Sequence, residues 1–210
     1  AYLDTTFGPR RYELFEAMPA SKNTLLINGV GVTGNSTVET RSINIGRHPG
    51  IRLTATAAMG TMRDGPVCQF CARLFLLLGD ALLVVDRVEM GQFGRPEARF
   101  HTRAAITRCV TTARLQGDRQ RASLTFAADV PAVLHEGVVT PTSAEAGAGV
   151  LRWCTIDLHR TVTLATLLVP GGKAPGLQVT STGRGIDIAV TSTSRTLHRV
   201  ALTNHLNTPR

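Results

Sequence analysis

At 210 residues the chain can bury a full hydrophobic core, and all-β units of this length often form one domain. Its 43% hydrophobic and 18% charged content excludes a disordered chain, and its longest apolar runs, 74–78 and 81–85, are too short to span a bilayer. A net charge of +8 points to an acidic partner or to solvated surface charge, and it is carried by scattered arginines, whose planar fork suits carboxylates and sulfates.

In chain order, the first segment carries Tyr2 and then Arg10-Arg11-Tyr12; these are the only tyrosines. A tyrosine beside two arginines can have a lowered pKa and act as acid or base, or it can anchor a strand edge with its ring in the core. Lys22-Asn23-Thr24 opens an apolar strand over 24–28 that stops at Asn28-Gly29. His48 stands in Gly46-Arg47-His48-Pro49-Gly50, which reads as a loop, and loop histidines serve either as plain surface or in binding. Strands over 68–78 and 81–88 meet at Gly79-Asp80, a two-residue turn fit for a tight hairpin. Both are apolar on both faces, which places the hairpin in the middle of a covered sheet. Asp86 reads as a hairpin-end carboxylate paired to Arg73 or Arg87. His101 follows Ala98-Arg99-Phe100 and by alternation faces opposite Phe100.

Further strands are expected over 51–58, 98–102, 104–107 extending to 110, 112–115, 122–126, 132–136, 151–158, 161–168, 177–181, 185–191 and 195–202. The stretch 114–124 reads as a second hairpin with a basic turn, 143–149 as a flexible joint and 170–176 as an irregular loop. Only 144–148 is Ala-rich, and glycines interrupt it. No repeat or domain break divides the chain. The expectation is one all-β domain over 1–210, a β-sandwich of stacked antiparallel sheets. Cys68-Gln69-Phe70-Cys71 looks like half a zinc site or a redox motif, but no second pair follows at zinc-finger spacing. Residues three apart on a regular strand point to opposite faces, so these cysteines are read as small buried residues.

These segments, in this order, resemble the C-terminal β-sheet part of heparinase II/III-type polysaccharide lyases. In that family an Arg-Tyr segment leads to a His-Asn-Thr strand, and a later apolar hairpin opens with Arg-Arg and ends in Val-Val-Asp-Arg. Here the matching residues are Arg11-Tyr12, Lys22-Asn23-Thr24 and the hairpin from Arg73 to Val84-Val85-Asp86-Arg87. The match is strongest over 2–103, and 161–170 is similar to a late apolar strand ending in proline. Lys22 in place of His and Cys71-Ala72-Arg73 in place of an Arg pair depart from the pattern.

The resemblance implies β-elimination of uronate-containing acidic glycans, of glycosaminoglycan or alginate type. The substrate lies between an upstream α/α toroid and the β-part, which supplies a Tyr and often a His. On this sequence the catalytic candidates are Tyr12, Tyr2 and His101, and the substrate-binding candidates are Arg10, Arg11, Lys22, Asn23 and His48. Some members hold a structural metal here. Cys71, Asp86 and His101 are the candidate ligands for a divalent ion such as Zn, Mn or Ca.

No helical half is visible in the sequence, so the toroid is expected in cis or as a separate chain, and the chain alone is expected to be inactive. The parent protein is expected to be periplasmic or secreted. Residue 1 is Ala rather than Met, so the lack of a signal peptide carries no weight. The elimination itself needs the uronate carboxylate screened, a base for the C5 proton and an acid for the leaving oxygen. The rival reading is a non-catalytic carbohydrate-binding or scaffold module. Nucleic acid is disfavoured by 5% aromatic content and the lack of stacking or zinc-finger patterns.

Overall fold

Alternating apolar residues between Gly, Pro, Asn and Asp breaks produce strands along most of the described residues. The computed structural model describes residues 19–31, 37–56, 61–62, 65–66, 68–139, 148–182, 185–192 and 195–202. In chain order the strands are β1 Leu25–Ile27, β2 Glu39–Ile45, β3 His48–Thr54, β4 Thr61–Met62, β5 Gly65–Pro66, β6 Cys68–Leu78, β7 Ala81–Gly94, β8 Pro96–Thr102 and β9 Ala105–Arg108. They continue as β10 Thr112–Gln116, β11 Arg121–Ala128, β12 Ala132–Val139, β13 Ala148–Thr155, β14 His159–Pro170, β15 Gly176–Thr182, β16 Gly185–Ser192 and β17 Arg195–Ala201. Among the described residues a 3-10 turn, Pro19–Ser21, precedes them.

The pairings are antiparallel. A central eight-stranded sheet has the order β2-β3-β6-β7-β14-β11-β10-β9, a four-stranded sheet the order β1-β8-β13-β12, and a three-stranded sheet the order β15-β16-β17. β4 and β5 pair alone.

The smaller sheets cover opposite faces of the central one. Cys71, Val88, Leu124, Phe126 and Leu164 pack against Leu25, Leu151 and Trp153 of the four-stranded sheet. Leu74, Leu76, Leu83, Val85 and Leu167 pack against Ile186, Ile188 and Val200 of the three-stranded sheet. This double cover explains why β6 and β7 are apolar on both faces. The hairpin between them turns at Gly79-Asp80, with Leu78 opposite Ala81 and Gly79 at φ 66°, a conformation that favours glycine.

Several elements differ from the sequence reading; β7, for one, runs to Gly94 instead of stopping at 88. β2 was not expected: Glu39, Thr40, Arg41 and Ser42 are all exposed, and only Ile43 and Ile45 at its end face the core, too short an alternation to mark a strand. His48 opens β3 instead of lying in a loop, because Gly46-Arg47 alone make the turn from β2. Ala148 and Gly149 already belong to β13, paired to β12 and β8, so the joint expected there ends earlier.

Candidate functional site

Of the residues singled out in the sequence, Asn23, Arg73, Asp86 and His101 come together where the segment before β1 meets β6 and β8. The 3-10 turn presents the Ala20 carbonyl, and Lys22, Asn23 and Thr24 follow it as irregular backbone. The carbonyls of Ala20, Asn23 and Thr24 meet partners from β6 or β8, while the Thr24 amide donates to the Lys22 carbonyl at 2.9 Å. Arg73 Nη1 donates to the Asn23 carbonyl at 2.7 Å. The His101 amide donates to Asn23 Oδ1 at 2.7 Å, and the Arg99 amide donates to the Thr24 carbonyl at 2.8 Å. The Ala20 carbonyl accepts from Arg99 Nη1 at 3.0 Å and lies 3.1 Å from His101 Nε2.

Asp86 holds Arg73 by two bonds, 2.6 Å to Nε and 2.8 Å to Nη2. This fork-to-fork pairing is the strong form of an Arg–carboxylate contact. Burial works against the Arg73 charge, but the carboxylate beside it outweighs burial and holds the Arg73 pKa above its ordinary value. Arg87, the neighbour of Asp86, turns to the other face, where it donates to Thr163 Oγ1 at 3.0 Å and lies 3.6 Å from Asp129 Oδ2. Arg99 is paired with Glu97 along its own strand.

His101 is half-buried on β8. A carbonyl only accepts, so Nε2 carries the ring proton toward Ala20 and Nδ1 keeps its lone pair. Burial lowers the His101 pKa; the Ala20 carbonyl opposes this, and the nearby charges of Arg99 and Lys22 add to the lowering. At neutral pH the ring is therefore an uncharged base among cations.

Tyr2, Arg10, Arg11 and Tyr12 fall outside the described residues. His48 is buried edge-on against His198, with ring centroids 5.3 Å apart. It sits five residues along β3 from Leu53, which is opposite Arg73, so about 16 Å of strand separates it from the cluster.

Cys71, Asp86 and His101 do not form a ligand set. Both Asp86 oxygens are taken by Arg73, and the Cys71 thiol is hydrogen-bonded to Cys68. Among the described residues no three His, Cys, Asp or Glu side chains come together as metal ligands.

The two thiols also correct the expected alternation. The register slips between Cys68 and Phe70, so Gln69 is a bulge residue, and Cys68 and Cys71 enter the same core cluster. The hydrogen bond with Cys68, followed by burial, pushes the Cys71 thiol well above its usual range.

Sequence reasoning missed the organising part of Arg99 and of the Ala20 carbonyl. The signal available for Arg99 was its place two residues before His101, on the same strand face.

No family model matches the chain, and no curated protein matches it. Solved structures match by shape. A heparinase III gene product superposes with a TM-score of 0.68 at 13% identity, over 96% of this chain and 33% of its own. A second heparinase III structure gives 0.68 at 11% identity, over 93% and 31%. The heparan sulfate lyase HepC from Pedobacter heparinus gives 0.59 at 13% identity, over 88% and 31%. The chain therefore has the stacked β-sandwich fold found in part of these structures and spans about a third of their length.

Proposed function

We propose that the chain is the C-terminal β-sandwich part of a polysaccharide lyase that cleaves uronate-containing acidic glycans by β-elimination, and that it needs an upstream helical partner to act. One observation carries this reading. Asn23 and His101, for which the family resemblance implies substrate-side roles, meet the Arg73–Asp86 pair in one hydrogen-bonded cluster. In this reading Tyr12, or failing it Tyr2, transfers the proton with Arg10 or Arg11 stabilising its phenolate. His101 offers an uncharged Nδ1, and Lys22 and Asn23 face the glycan.

A neighbouring feature favours the partner. The sheet face that holds Arg73 continues along Ile51, Phe75 and Leu77, and among the described residues no sheet covers it there: Ile51 is 45% and Leu77 52% exposed. An apolar strip beside a polar cluster suits a second domain docked over both.

The non-catalytic module remains the second reading, favoured by the way Arg73 and Asp86 satisfy each other and by Lys22 in place of histidine. The test is absorbance of the unsaturated uronate product with heparan sulfate, chondroitin sulfate and alginate. No turnover is expected from this chain alone, and turnover is expected from the complete gene product. Turnover by the chain alone overturns the two-part reading, and an inactive complete product sinks the lyase reading. In an active complete enzyme, Tyr12→Phe is expected to lower turnover by about two to four orders of magnitude.

A further inference from the structure

We propose that a groove of about 450 Å³ at the far end of the eight-stranded sheet is an accessory anion site, suited to a sulfate or carboxylate group of an acidic glycan. Three cations from three elements border it: Arg114 of β10, Arg121 of β11 and Lys173 of the loop after β14. Its described lining contains no carboxylate, and Thr107 and Gln116 add neutral hydrogen-bonding groups. Three like charges around one groove repel each other, and a bound anion relieves that repulsion.

The groove is also partly organised in advance. Arg121 Nε donates to Gln116 Oε1 at 2.6 Å, and Gln116 Nε2 donates to the Gly117 carbonyl at 2.7 Å. The guanidinium is thus fixed by its Nε edge, and its Nη edge is left for an acceptor with two oxygens. The Gly171 amide donates to the Arg121 carbonyl at 2.7 Å, which draws the loop carrying Lys173 against β11.

This groove is distinct from the His101 cluster. Arg114 is in register with Ser123 and Ser123 with Val169, and Val169 packs on the core beneath the three-stranded sheet. Arg73 shares the opposite face with Cys71, which packs toward the four-stranded sheet. β10 is three strands from β7 in the sheet, about 14 Å sideways.

Its described lining contains no aromatic side chain, and so offers no stacking platform of the kind that single-stranded nucleic acid uses. The choice of a glycan as ligand rests on the acidic-glycan reading above. A chain binding a long polyanion gains from a second contact that holds the polymer while the first site works on it.

The experiment is calorimetric titration of the whole chain at low and physiological salt. The probes are inorganic sulfate, a heparin-derived hexasaccharide and an oligothymidylate of matched charge. Arg114→Gln, Arg121→Gln and Lys173→Gln together are expected to weaken hexasaccharide binding about tenfold or more. Arg47→Gln, Arg95→Gln and Arg160→Gln, at exposed positions elsewhere, are expected to change it less than about twofold. Thermal melting checks that each variant folds. Lys173→Gln alone, in an exposed loop, is the arm that spares folding and should still weaken binding measurably.

Equal losses in both triple variants overturn the proposal, since net charge then suffices. So does oligothymidylate binding as tightly as the hexasaccharide, or sulfate binding without the hexasaccharide. Loss confined to an Asn23→Ala, His101→Ala variant also overturns it, while leaving the lyase reading intact. Loss confined to the groove variant, with a complete gene product that shows no elimination, supports the site and removes the lyase reading.

Discussion

Asp86→Ala tests whether the Arg73–Asp86 pair anchors the candidate site. The substitution removes both acceptors that hold Arg73, at 2.6 and 2.8 Å. Asp86 is 2% exposed and the Arg73 side chain 13%, so water cannot readily replace the carboxylate. Breaking a buried pair from one side costs about 3–5 kcal/mol, because the surviving charge is left without its partner in a poorly solvated place. Arg73 retains its bond to the Asn23 carbonyl at 2.7 Å, which puts the expectation at the lower end, about 3 kcal/mol. For a chain of this length that is a fall in Tm of roughly 6–12 °C.

The double variant Arg73→Met, Asp86→Leu removes both charges and is expected to recover most of the loss, since apolar replacement of a buried pair is close to neutral. The assay is urea unfolding at 25 °C and pH 7.5, followed by far-ultraviolet circular dichroism, with midpoints compared at equal slopes. The backbone amide resonance of His101 is a second readout, because Arg73 holds Asn23 and Asn23 holds that amide. A loss below about 1 kcal/mol, with the His101 amide unmoved, would mean that the pair behaves as a surface bridge and anchors nothing.

Three other expectations come from packing and titration. His101 and His198 are both held below the ordinary histidine value of 6.5, by burial first. Charges of Arg99 and Lys22 add to the effect at His101, against the Ala20 carbonyl, and those of His48 and Arg47 add to it at His198. The unfolded chain therefore takes up protons before the folded one, and the urea midpoint should fall between pH 7.5 and pH 5.5; a midpoint that stays level or rises refutes this. A methyl on Gly50 would meet the Phe75 carbonyl oxygen at 2.3 Å and Leu76 Cδ2 at 2.6 Å, so Gly50→Ala should cost about 2–3 kcal/mol in the same assay. Gly94→Ala, whose tightest contact is the movable Met90 thioether, should cost clearly less, and equal costs would contradict the paired-strand geometry around Gly50. Cys109 is exposed while Cys68, Cys71 and Cys154 are buried, so a thiol reagent on the native chain should give one adduct by mass spectrometry, and two or more would place a second thiol at the surface.

Much of this architecture is local enough to be legible in the sequence. The all-β class follows from alternation and turn residues, and the double cover of the central sheet follows from apolar runs on both faces of β6 and β7. The two-residue turn even fixes the key ion pair. Counting back five residues from Leu78 and forward five from Ala81 brings Arg73 opposite Asp86, because antiparallel register is set by the turn. What escaped lies where the local pattern is silent or broken. β2 is an edge strand whose first four residues are exposed and polar, which leaves only Ile43 and Ile45 as a hydrophobic signal. The bulge at Gln69 reverses the expected facing of Cys68 and Cys71, and a single inserted residue has no composition signature.

The tertiary structure alone decided which distant segments share the site. Asn23 and His101 are 78 positions apart and meet because β1 pairs with β8. The groove of Arg114, Arg121 and Lys173 exists because β14 returns beside β11 and its loop folds over the hairpin end. Strand order in a sheet is set by the mutual burial of faces from segments far apart in the chain, and no local stretch of residues encodes it.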